Sequence, residues 1–196
     1  MAKTGEPIEQ YYAKDRAAWR AWLAEHHATS AGIWLIYFKK ESGKPRVAYE
    51  DAVEEALCFG WVDSRPNAID DQSYMQLFSP RKAKSPWSKI NKERVERLIA
   101  QGLMTEAGLK KIEAAKADGS WNRYDEVDDL VMPDDLAQAL GANESANTYF
   151  QAFSPSSKKV ILWWIASAKR LETRSKRIEE TVRLAAENIK ANHYRQ

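Results

Sequence analysis

The stretch Ala56-Leu57-Cys58-Phe59-Gly60-Trp61-Val62-Asp63-Ser64 joins a helical pattern to a strand, and its reading decides the fold. On its upstream side Tyr49, Val53, Ala56 and Leu57 recur at the spacing of one helix face, which predicts a helix over 49–59. Trp61 and Val62 then open a β-favouring run, so Gly60 falls where the helix must stop, a place that asks for left-handed backbone and hence for glycine. A joint of this kind sets Cys58, Trp61 and Asp63 close together and makes them the floor of a candidate site.

Downstream of the joint, residues up to Ile69, the turn Asp70-Asp71-Gln72 and the apolar run 74–78 read as a hairpin. Upstream, Glu41-Ser42-Gly43-Lys44-Pro45 is a turn by composition. Before it, residues 32–40 are β-branched and aromatic on both alternating faces, which predicts a strand covered on both sides, or covered on one side and flanked by aromatics. Asp15 can cap a first helix whose Ala18, Trp19, Trp22, Leu23 and His26 recur at steps of three and four. The first half therefore reads α-β-α-β-β.

From Ser79 the pattern is helical throughout. Ser85-Pro86 has the form of a cap followed by a first-turn proline, predicting a helix from there to Gln101 with Gly102 as its stop. Thr105 can cap the next helix, which ends near Gly119, and an acidic connector follows, held by Trp121 and Tyr124. Pro133, Asn143 and Ser154-Pro155 mark three further starts, and a last helix begins at about Thr173. The expected architecture is α+β: a small N-terminal β-sheet with covering helices, then an all-helical C-terminal half, with domains at 1–119 and 120–196.

The chain is long enough for a real core at 196 residues, and a lone Cys58 leaves no intramolecular disulfide to form. Residues 1–10 carry Lys3, Glu6 and Glu9 without an apolar run, so no export signal is read there. The longest strongly apolar run, 160–166, is far short of the roughly 20 residues a bilayer requires. The expectation is a soluble cytoplasmic protein. A net charge of +2 is too small to imply a polyanion partner, although cations crowd 79–97 and acids crowd 118–135.

Three stretches together resemble the bacterial YdeI/OmpD-associated, or bacteriocin-protection, family. They are Glu54-Glu55-Ala56-Leu57-Cys58-Phe59-Gly60-Trp61-Val62-Asp63, then Ser79-Pro80-Arg81-Lys82-Ala83-Lys84-Ser85-Pro86-Trp87-Ser88-Lys89-Ile90-Asn91-Lys92, and Phe153-Ser154-Pro155-Ser156 through Ala168-Lys169-Arg170 to Ile178. With the spacing between them, the resemblance takes in nearly the whole chain. It implies a bacterial accessory protein linked by name to tolerance of antimicrobial peptides or to an outer-membrane porin, and it brings no catalytic residues. Since no export signal is read before Tyr11, direct contact with a porin is not expected. The part from about Pro133 to Ala191 resembles a helical module joined elsewhere to other N-terminal domains, which implies a transferable binding unit.

The residues themselves offer several chemistries. Cys58 sits in an apolar helical context, where a buried thiol is inert, and only His26, His27 and His193 exist to activate one. No metal site is expected: His26 and His27 are adjacent on a helix and no second cysteine is present. Asp63 is either a general base or ligand acceptor, or a structural carboxylate paired with Arg65. Residues 81–92 offer an anion seat at a helix start, or else a core-docked Trp87, a capping serine and solvated cations. The preferred expectation is a binder without cofactor or catalysis. Trp61, Asp63, Trp87 and Asn91 would line its groove, and Arg65, Arg81, Lys82 and Lys89 would rim it for a small anionic ligand, an acidic peptide or a protein partner. The alternatives are an enzyme using Asp63 as base with Lys89 or Arg81 stabilising charge, and a nucleic-acid binder using Lys169, Arg170, Arg174, Lys176, Arg177 and Arg183 of the last helix. Glu172, Glu179, Glu180 and Glu187 interleave those cations and oppose nucleic-acid binding.

Overall fold

The computed structural model describes residues 8–193, so the first seven residues, part of the segment scanned for an export signal, lie outside the described residues. The chain divides into two compact units, with the boundary between Trp121 and Asn122. The first carries a sheet with helices and the second is helical, so the class is α+β.

In the first unit the order is β1 (Gln10–Tyr12), α1 (Arg16–His26), β2 (Ile33–Phe38), a 3-10 turn at Lys40–Ser42, α2 (Tyr49–Cys58), β3 (Trp61–Ala68), β4 (Ser73–Pro80), α3 (Lys89–Ala100) and α4 (Glu106–Ala117). The sheet order is β1-β2-β4-β3, with β1 parallel to β2 and the other pairs antiparallel. Strand β1 has no counterpart in the sequence expectation, because three residues are too few to show an alternation. The pairing of β3 with β4 shifts between Asp63 and Pro66.

The joint at 56–64 forms as its residues dictate. Helix α2 ends at Cys58, Gly60 takes a φ of 74°, and β3 leaves from Trp61. Along β2, Ile33, Leu35 and Tyr37 are buried, while Trp34, Ile36 and Phe38 on the opposite face are half-buried, so the second of the two expected arrangements holds. Asp15 caps α1, accepting from Ala18 N at 2.8 Å, and Trp19 and Leu23 enter the core. Helices α1 and α2 are also tied by charge. The carboxylate of buried Glu55 accepts from Arg16 Nε at 2.6 Å and Arg20 Nη1 at 2.5 Å, and Arg16 also reaches Asp51 and Glu54.

Helix α3 starts a turn later than Ser85-Pro86 predicts. Ser85 turns back instead, its N and Oγ both donating to Lys82 O, and Lys84 adopts φ 60°. Ser88 is the cap, accepting from Asn91 N at 3.4 Å. The delay has a packing cause: residues 81–88 must first carry Trp87 into the core. Helix α4 then closes on the joint. Thr105 caps it and donates its N and Oγ1 to Cys58 O at 3.1 and 2.6 Å, satisfying a carbonyl at the end of α2. Contact at Gly108 is so close that a Cβ there would lie 2.3 Å from Cys58 O.

The second unit comprises α5 (Asp125–Asp128), α6 (Asp134–Gly141), α7 (Glu144–Ala152), α8 (Pro155–Ala166) and α9 (Leu171–Ala186) around Leu136, Leu140, Phe150, Ile161, Ile165 and Ile178. Asn143 and Ser154 cap α7 and α8, each accepting from the amide three residues on. One turn of the acidic connector is helical as α5, which the sequence pattern does not announce. No helix among the described residues is long and apolar enough to cross a membrane.

Candidate functional site

The helix-covered face of the sheet is apolar at one end and polar at the other, and that change positions the site. Leu35, Phe78 and Trp61 belong to the core, and along β2, β4 and β3 they are succeeded by Tyr37, itself in that core, then Tyr74 packed against it, and the polar Gln76 and Asp63. Asp63 Oδ2 accepts from Tyr49 Oη at 3.0 Å and from Gln76 Nε2 at 2.8 Å, so the first residue of α2 is tied to the sheet through one carboxylate oxygen. Gln76 also donates to Ser64 O where the β3 pairing shifts. Tyr37 and Tyr74 stack with ring centroids 5.0 Å apart, and Arg46 Nη1 approaches Tyr74 Oη at 3.5 Å. The Tyr37 hydroxyl is buried without a hydrogen-bond partner.

Charges converge on this corner. Burial holds the Tyr37 phenol well above its ordinary range, and the neighbouring Tyr74 and Asp63 push it further while Arg46 opposes them. Tyr49 is raised by burial and by Asp63, with Arg94 pulling the other way. Arg81 is buried and pushed down to about 10 by desolvation, with Asp63 partly restoring it. Arg46 thus acts on Tyr37, Arg94 on Tyr49, and Asp63 on Arg81.

The eight residues expected at the site have distinct places. Trp61 and Trp87 are each 1% exposed and belong to the same core. Trp61 donates its indole N–H to His27 O at 3.2 Å. Arg81 is bonded to the joint, its N donating to Gly60 O at 2.9 Å, and its guanidinium lies 3.9 Å over the Trp87 ring. Asp63 and Asn91 are half-buried, and Asn91 Oδ1 accepts from Arg94 Nη1 at 3.1 Å. Arg65, Lys82 and Lys89 are exposed. The structure therefore brings Trp61, Asp63, Arg81 and Trp87 into one neighbourhood and leaves Arg65, Lys82 and Lys89 at the surface. Sequence reading passes over Tyr37, Tyr49, Tyr74, Gln76, Arg46 and Arg94. Gln76 was the available signal, a large amide at an inward position of an otherwise apolar strand.

Two other candidates are engaged in structure. Cys58 is buried, and desolvation with Glu55 nearby raises its thiol to about 11, which keeps it protonated and unreactive at neutral pH. On α9, Arg174 binds Asp135 through two bonds of 2.6 and 2.8 Å, Lys176 pairs with Glu172 at 2.7 Å, and Arg177 donates to Trp164 O and Ser167 Oγ. Arg174 and Arg177 are thus engaged within their own unit, whereas the Lys176 pair is exposed.

Comparison with curated proteins and with solved structures gave no match. Two family models do match. Residues 129–188 match the family described as Bacteriocin-protection, YdeI or OmpD-Associated, so the resemblance read across nearly the whole chain is carried by the helical part. Residues 11–111, which include the motifs at 54–63 and 79–92, match a domain of unknown function, DUF8412. Since that second match spans just over half of the chain, the protein belongs to the DUF8412 family, with a YdeI/OmpD-associated module at its C-terminal side.

Proposed function

We propose that the protein is a non-enzymatic accessory factor of the cytoplasm that binds a small anionic ligand at the polar corner of its sheet, in the service of tolerance to antimicrobial peptides. One observation carries this reading: the Tyr37 hydroxyl is buried at that corner without a hydrogen-bond partner, a donor that an anion would satisfy, and it stacks on Tyr74, whose hydroxyl Arg46 Nη1 approaches at 3.5 Å. Tyr49 and Gln76 spend their donors on Asp63 and Ser64 O, which fixes the shape of the corner and leaves the Tyr37 hydroxyl and Arg46 to meet what binds. The tolerance role follows the description of the family matched at 129–188.

The test is thermal unfolding of the wild type and of an Arg46→Gln/Arg94→Gln variant against a panel of carboxylate- and phosphate-bearing metabolites. A ligand at about 100 times its Kd stabilises the wild type by about 2.7 kcal/mol. The variant, having lost two cations, should show little of that gain. A wild-type midpoint that no member of the panel moves overturns the proposal.

A further inference from the structure

Three large indoles are fully buried in the first unit, and they differ in one respect. Trp19 Nε1 donates to Ala52 O at 3.0 Å and Trp61 Nε1 donates to His27 O, whereas Trp87 Nε1 has no acceptor. Beside it, Arg81 Nε is likewise unpaired, although Arg81 is only 5% exposed and its Nη1 is held by Pro86 O at 2.9 Å. Ser120 Oγ, in a residue 1% exposed, is the third unpartnered group. Their residues are neighbours: the Arg81 guanidinium lies over the Trp87 ring, that ring lies 5.0 Å from the Trp121 ring, and Ser120 precedes Trp121 in the chain.

The chemistry of the three agrees. Indole Nε1 and guanidinium Nε are donors only, and a serine hydroxyl can donate by rotation, so all three can be satisfied by an acceptor. A neutral acceptor would leave the guanidinium charge buried, whereas an anion removes both penalties. The surroundings are positive as well, with Lys92 and Lys116 Nζ at 5.5 and 5.2 Å from the Trp121 ring centre. The nearby carboxylate of Asp118 is taken up by backbone donors, Ser120 N at 2.9 Å and Lys84 N at 3.2 Å.

We infer that Arg81 Nε, Trp87 Nε1 and Ser120 Oγ form the seat of a compact oxyanion, the carboxylate or phosphate group of the ligand. The inference rests on the anionic-ligand reading and adds to it the loop 81–88 and Ser120. It is tested on the full chain by following the indole N–H resonances in a nitrogen-15 spectrum, with the Trp87 signal assigned by Trp87→Phe. Inorganic phosphate and acetate are titrated separately at constant ionic strength set by sodium chloride, which distinguishes the two oxyanions.

The expected result is a saturable shift of the Trp87 resonance at roughly millimolar anion, the affinity open to so small a ligand. Ser120→Ala, which deletes one buried atom, should weaken that binding roughly tenfold. Arg81→Lys, which keeps charge and loses Nε, should abolish it. A Trp87 resonance that stays in place with both anions, or follows chloride equally, overturns the seat. A metabolite that stabilises the wild type through Arg46 and Arg94 without moving Trp87 overturns the seat and leaves the wider proposal standing. A Trp87 shift with phosphate, in a protein whose metabolite binding ignores Arg46→Gln/Arg94→Gln, supports the seat and overturns the wider proposal.

Discussion

Replacing Gly108 by alanine should destabilise the first unit, against the direction that helix propensity alone would give. Within a helix, alanine is favoured over glycine by about 1 kcal/mol. At this position, however, the new Cβ would stand 2.3 Å from Cys58 O, 2.9 Å from Cys58 C and 2.7 Å from Met104 Cε. The methionine end can swing away, but the carbonyl cannot, because Thr105 N and Oγ1 both donate to it. A carbon normally keeps about 3.3 Å from a carbonyl oxygen, so α4 has to retreat by about 1 Å. That retreat forfeits two hydrogen bonds, about 1 kcal/mol each, and strains the contact by about 1–3 kcal/mol, leaving a net loss of about 2–4 kcal/mol once the propensity gain is subtracted. For a unit of this size the transition should fall by about 10 °C. Gly141 supplies the control, since a Cβ there meets nothing within 4 Å. Gly141→Ala should stabilise the second unit by up to about 1 kcal/mol. Urea unfolding of both variants decides the matter: a Gly108→Ala protein as stable as the wild type would refute the close approach of α4 to the end of α2.

Two other perturbations follow from the same unit. Glu55→Gln leaves Arg16 and Arg20 without the buried carboxylate they share, and should lower stability by about 2–4 kcal/mol, the lower part of the range being favoured because both arginines are about a third exposed and can rehydrate; a urea midpoint shift worth less than about 1 kcal/mol would show the pair to be solvated. The Cys58 thiol, raised to about 11 in the fold, should contribute stability that is whole below the ordinary thiol pKa and is lost as pH rises toward 11, because the unfolded chain releases its proton first. Comparing urea unfolding of the wild type and Cys58→Ala from pH 7 to pH 10.5 isolates that contribution, and parallel pH profiles would contradict it.

Much of the fold was legible because its signals are local. Gly60 announced the end of α2, and Asp15, Thr105, Asn143 and Ser154 announced helix starts through side chains that bond their own backbone. At the start of α3 local signal and packing disagree: Ser85-Pro86 has the form of a cap, but the helix begins only after Trp87 has entered the core. Strand β1 depends on its parallel partner rather than on its own three residues. At the candidate site, Trp61, Asp63, Arg81 and Trp87 stood out by residue type. Tyr37, Tyr49, Gln76, Arg46 and Arg94 did not, since what joins them is the β2–β4 register and the seating of α2, both products of long-range contact.

The outermost strands of the sheet also bear on behaviour at high concentration. A strand edge recruits another chain when it is long, flat and regularly studded with free amides. Strand β1 has three residues, and β3 carries Pro66, which lacks an amide proton, beside the break in register at Asp63. Copies of the protein meeting edge to edge find little template for adding a strand, so the sheet is guarded against fibrous self-association by its own margins.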